Sequence, residues 1–189
     1  MRTLLPSLIT LLLITSVSSG RNPLFPVKQS PGKPESARAM LGDQADAVLQ
    51  NPTRVMIYRV EPGDGDAFHV PNVEGFPTIA ETLIREPAQV REVRELILDT
   101  GAYDFEEWGQ NKWCGAFEPG VAIVFARERA KVIALICFKC NDIVYAVYNQ
   151  QDQRTFSTFV DFRPGRARFL QLAQQAFPDD ATLQALTPD

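Results

Sequence analysis

The stretch from Cys114 to Tyr148 constrains the fold most, because it sets three strand-forming runs in close succession. It opens as Cys-Gly-Ala-Phe-Glu-Pro-Gly and passes into the apolar run Val121–Ala126. Arg127-Glu-Arg-Ala-Lys131 separates that run from Val132–Phe138, and both runs are rich in β-branched and aromatic residues. Such side chains suit a pleated surface, and a polar connection between two such runs predicts a hairpin. Asn141-Asp142 marks a second turn, and Ile143–Tyr148 continues as a third strand. Leu135 and Ile136 fall mid-run between two other strands, so burial is expected on both faces.

The flanks extend this sheet. Arg54–Val60 alternates with apolar residues on both faces, as a central strand does. Thr78 to Arg85 carries a helix capping pattern, but its β-branched residues and Glu86-Pro87 favour a strand. Pro87 then suits the first position of a helix to about Asp99, with Val90, Val93, Leu96 and Ile97 as the buried stripe. A short helix is expected from about Ala37 to Leu49, ended by Asn51-Pro52. Arg154–Phe162 reads as a strand, and Pro164 opens a last helix with Phe169, Leu170, Ala173 and Phe177 on one side. Leu183 and Leu186 are expected to dock a final turn. This order predicts an α+β fold: a mainly antiparallel sheet of about five to six strands, with a central helix and a C-terminal helix packed on it.

Residues 1–19 read as a signal peptide: Met1-Arg2, an apolar run from Leu4 to Val17, then small residues before Gly20. The run is shorter than the ~20 residues that span a bilayer, so membrane contact is expected only through this segment if it is uncleaved. Residues 20–36, with Pro23, Pro26, Pro31 and Pro34, read as a flexible tether, and 37–189 as one domain. The expected location is secreted or periplasmic. A net charge of −4 and the lack of a basic stripe argue against nucleic acid. Arg163, Arg166 and Arg168 read as a solvated helix start.

Export makes a disulfide the default fate of paired cysteines, and the chain has 3 of them. If the hairpin turns at Arg127–Arg129, Cys114 falls opposite Cys140, so Cys114–Cys140 is the expected bridge. Cys137 is then a leftover thiol or the alternative partner. A Cys137–Cys140 bond is disfavoured on a regular strand, where residues three apart face opposite sides. A C-x-x-C on a turn is also half of a zinc knuckle, with Cys114 as third ligand and His69, Asp142 or water as fourth. A second complete ligand pair is missing. Thioredoxin-like chemistry needs a helix N-terminus behind the motif, and here a strand follows, leaving only Lys139 to stabilise a thiolate.

The remaining motifs are weak. Glu61–Asp66 has aspartates and glycines without the spacing of a calcium loop. Hydrolase chemistry would rest on His69, the one histidine, which has no Gly-x-Ser-x-Gly beside it. The aromatics of the 103–113 loop suit packing over the sheet better than an exposed binding lip.

At Cys114-Gly-Ala-Phe-Glu-Pro-Gly and Leu135-Ile-Cys-Phe-Lys-Cys the chain resembles a broad group of uncharacterised, mostly exported bacterial proteins. That group pairs a cysteine- and proline-bearing strand with a Cys-Phe-x-Cys strand, and the likeness runs from about Phe68 to Phe177. Many of its members have Arg-His after the proline, where this chain has Gly120-Val121. The resemblance implies the fold and brings no activity. The functional expectation is a non-enzymatic binding or envelope-structural domain stabilised by its hairpin cysteines. The alternative is a thiol-redox or zinc protein using Cys114, Cys137 and Cys140.

Overall fold

The computed structural model describes residues 32–63, 69–108 and 117–188. Its centre is the meander that the apolar runs predict: β4 (Val121–Arg127), β5 (Ala130–Cys137) and β6 (Asp142–Tyr148). The β4–β5 turn is tighter than the charged run suggested. Arg127 pairs with Ala130, and Glu128 takes a left-handed backbone (φ 56°) to close the hairpin.

Among the described residues, four further strands extend this meander to an antiparallel sheet of seven, in the order β2-β3-β1-β4-β5-β6-β7. They are β1 (Arg54–Val60), β2 (Asn72–Val73), β3 (Phe76–Ile84) and β7 (Arg154–Asp161). Six of the seven match the expected segments. The additional one is β2, a two-residue strand that folds back on Phe76 and Pro77 through Glu74 and Gly75. Both turn residues have positive φ (54° and 83°), which Gly75 accepts without strain.

The helices are α1 (Ala37–Gln50), α2 (Pro87–Leu98), α3 (Arg166–Ala176) and the short α4 (Ala181–Gln184). Ser36 caps α1 by accepting the Ala39 N–H, and Pro34 before it is buried. Met40, Leu41, Val48 and Leu49 of α1, Val93 and Ile97 of α2, and Phe169 and Leu170 of α3 share one core with Ile57, Ile123, Ile136 and Tyr145 of the sheet. Leu183, on the expected final turn, joins it. No described helix is long and apolar enough to cross a membrane.

The other face of the sheet has its own cluster, built from Val60, Ala122, Ile133, Leu135, Val144 and Ala146. Val73 and Phe76 of the β2–β3 hairpin pack onto it. The sheet is curled enough for Glu74, at that hairpin's tip, to reach the far strands. There it accepts a 2.6 Å bond from the Tyr148 hydroxyl and pairs with Arg154 at 3.3 Å. Leu135 and Ile136 are accordingly buried on opposite faces, as a strand with both sides covered requires.

Candidate functional site

The site lies where β5 turns into β6. Cys137 and Asp142 are the last register pair, so Phe138 to Asn141 form the connection. Asn141 adopts a left-handed backbone (φ 58°), a conformation that asparagine tolerates better than most residues. The reversal brings Cys140 back over Cys137, with the two sulfurs 2.8 Å apart and both residues buried. This corrects the argument from strand alternation: only Cys137 is on the strand, and Cys140 belongs to the turn.

Three backbone N–H groups, from Cys140, Glu118 and Lys139, point at the Cys137 sulfur. The Cys140 thiol also bonds to it, and that contact does most to lower its pKa. Burial works in the opposite direction but is outweighed, and the Cys137 thiol falls to about 6. Convergent N–H dipoles here supply what a helix N-terminus supplies in other thiol sites. Lys139 is exposed and forms a 3.1 Å ion pair with Glu118, tying the turn to the segment before β4.

Arg166 holds the turn from the side of the helices. Its Nη1 donates to the Phe138 carbonyl at 2.5 Å and to the Asn141 side-chain oxygen at 2.6 Å. Its Nε donates to the Thr187 carbonyl at 3.3 Å, and its guanidinium stands 5.7 Å from the centre of the Phe138 ring. The Phe162 N–H adds a 2.8 Å bond to the Asn141 carbonyl. Arg166 is only 8% exposed, so it is not part of the solvated helix start expected for this arginine group. Arg163 and Arg168 do lie at the surface, paired with Asp161 and Asp99. A clue to Arg166 was present in the sequence. It falls three, four and seven residues before Phe169, Leu170 and Ala173, on the buried stripe of α3. Glu118, whose N–H reaches Cys137, carried no such signal.

The row of side chains that starts at Cys137 continues through Asp142 and Asp161, because the register sets these residues side by side. Asp161 accepts the Arg163 N–H at 2.6 Å. Asp104 and Glu107 bring carboxylate oxygens within 4.8 Å of it. Among the described residues this trio is the one group of three or more potential metal ligands that lie so close together, and it contains neither cysteine. His69 is not in it either; it lies exposed in the loop before β2. Cys114, common to the expected bridge and to the zinc alternative, lies outside the described residues, as do Trp113 and the segment 64–68 of the acidic turn. No disulfide at bonding distance occurs among the described residues.

The other aromatics of the loop after α2 pack inward as expected. Tyr103 and Phe105 are buried, and Trp108 leans on Phe105 with ring centres 6.2 Å apart. The Tyr103 hydroxyl donates to the Ile97 carbonyl (2.8 Å) and meets the Tyr145 hydroxyl at 2.6 Å. Burial pushes both phenols well above their ordinary range. They are a buried polar tie, not an acid–base pair for neutral pH.

Chemically, the turn can hold a thiolate at neutral pH next to a second sulfur. No family model, curated protein or solved structure matches the chain.

Proposed function

We propose that this protein is an exported binding or envelope-structural domain in which Cys137 and Cys140 close into a disulfide that locks the β5–β6 end of the sheet. The observation that carries the reading is the 2.8 Å approach of two buried sulfurs on a turn clamped by Arg166. In an oxidising compartment the Cys137 thiolate attacks a disulfide oxidant, and Cys140 displaces the oxidant's second sulfur. Two S–H groups become one S–S bond, two protons leave, and the oxidant is left as a dithiol. Burial of the pair then shields the bond from exchange, which suits a structural lock better than a turnover catalyst. Cys114 is the third thiol in this scheme.

The test is intact mass of the exported protein after alkylation, with and without prior reduction. One blocked thiol before reduction and three after it support the lock. Three blocked thiols without reduction would overturn it.

A second reading, thiol exchange with a partner, is favoured by the Cys137 pKa of about 6, which makes the reduced site nucleophilic at neutral pH. It requires the bond to be reduced by thioredoxin-class dithiols at least as readily as a surface disulfide. The structural lock requires resistance.

A further inference from the structure

Cross-strand partners share a face of a sheet. On the face away from α1, α2 and α3, the ladder registers therefore set Arg54, Ala126, Lys131, Tyr148 and Arg154 in one row, a residue each from β1, β4, β5, β6 and β7. Beside this row on the same face lies the apolar cluster that contains Ile133, Leu135, Val144 and Ala146. Three cations and a phenol thus border an apolar surface. The acids that meet the row are Asp152, paired with Lys131 at 2.9 Å, and Glu74.

Glu74 reaches the row from a different part of the chain. The last pair of β3 with β1 is Val60 with Thr78, so the β2–β3 hairpin projects beyond that ladder and pairs mainly with itself. It lays Val73 and Phe76 on the apolar cluster and sets the Glu74 carboxylate against Tyr148 at 2.6 Å and Arg154 at 3.3 Å. The Glu74 side chain is only 8% exposed. Its backbone is left-handed (φ 54°), in a two-residue turn that favours asparagine or glycine at this position. A glutamate held there carries local strain, and its carboxylate is what the position gains in return.

We propose that Tyr148 and Arg154 form the carboxylate site for a medium-chain fatty acid, and that Glu74 is the site's built-in occupant. The ligand's carboxylate replaces that of Glu74, and its acyl chain replaces Val73 and Phe76 as the hairpin swings off the apolar cluster. Lys131, 4.4 Å over the Tyr148 ring, and exposed Arg54 draw an anion towards the row. The site lies at the opposite end of β5 from Cys137 and does not depend on the cysteine lock.

The test is calorimetric titration of the folded protein with decanoate below its micelle concentration, with hydrogen exchange of residues 72–76 followed in parallel. Decanoate should bind weakly but saturably and speed exchange in the hairpin, whereas acetate and decanol should do neither. Glu74→Gln removes the competing charge and raises the fraction of open protein, so decanoate should bind about tenfold or more tightly. Adding Arg154→Met to that variant should cancel the gain, because the ligand then loses its own ion pair. Glu74→Asn relieves the turn but cannot reach the row, so hairpin exchange should quicken while circular dichroism stays native; slower exchange would reduce Glu74 to a turn residue. No saturable decanoate binding by either wild type or Glu74→Gln overturns the proposal, as does equal affinity of the two or decanol binding as tightly as decanoate.

Discussion

The β5–β6 turn and the β3 edge are covered in opposite ways. At the turn, every backbone group named above is met from inside the chain, by Arg166, by the Phe162 N–H or by the Cys137 sulfur. At the edge, Ile79 and Leu83 are exposed, and no described strand pairs with the outer side of β3 over Ile79–Ile84. Both lie on one continuous sheet, and they differ in what covers them. The turn is backed by α3 and the chain end near Thr187, whereas the edge is the first long strand on the open side. Internal clamping preorganises a site for chemistry within the chain.

The comparison breaks most visibly in the sheet interior that joins the two regions. Leu135→Ala or Ile136→Ala should cost about 2–5 kcal/mol in urea unfolding, the range for truncating a buried aliphatic. Leu83→Ala, at the edge, should cost under ~0.5 kcal/mol. Equal costs would mean that the edge is already covered. Next in size, Arg166→Met keeps the apolar stem but leaves the Phe138 carbonyl and the Asn141 side chain without their donor. A loss of roughly 2–3 kcal/mol is expected for a buried, hydrogen-bonded charge. A neutral outcome would show that the turn holds itself.

How much of this could be read from the sequence depended on how local each signal was. The meander was legible because each strand is a contiguous apolar run bounded by polar residues. β2 was not, because two residues between Pro71 and Glu74 show no alternation. The helices are legible from their stripes, yet Arg166 reads with its charged neighbours although its position on the α3 stripe marks it as buried. The meeting of the sulfurs was missed for a geometric reason. Alternation forbids it along a strand, and the left-handed Asn141 that ends the turn is a tertiary choice no periodicity reveals.

Smaller effects sharpen the picture at the turn itself. Under oxidising conditions Cys137→Ser and Cys140→Ser should each cost about 1–2 kcal/mol, modest because the closed loop is short. The double variant should cost no more, since one bond is lost only once. If Cys114→Ser and Cys140→Ser form the matched pair, the bridge runs to Cys114.

In the reduced protein the folded Cys137 titrates at about 6, below the ~8.5 of an unfolded thiol. The unfolded state therefore holds the proton more tightly, and stability should rise with pH from about 6 towards ~8.5. That contribution is fully present above ~8.5 and disappears as pH falls through about 6. Denaturant midpoints of reduced wild type and Cys137→Ser across that range would show it; parallel curves would mean that no thiolate forms. Lys139→Ala should change stability least, by under ~0.5 kcal/mol, because its ion pair with Glu118 is solvent-exposed.

The most direct test of the lock uses the lysine that lies between the two sulfurs. Trypsin cuts after Lys131, Lys139 and Arg154, so Cys137 falls in peptide 132–139 and Cys140 in peptide 140–154. Cys114 falls in peptide 113–127. Non-reducing mass spectrometry of the digested, oxidised protein should find 132–139 joined to 140–154, with 113–127 carrying an alkylated thiol. Finding 113–127 joined to 140–154, or all three peptides unlinked, would contradict the account.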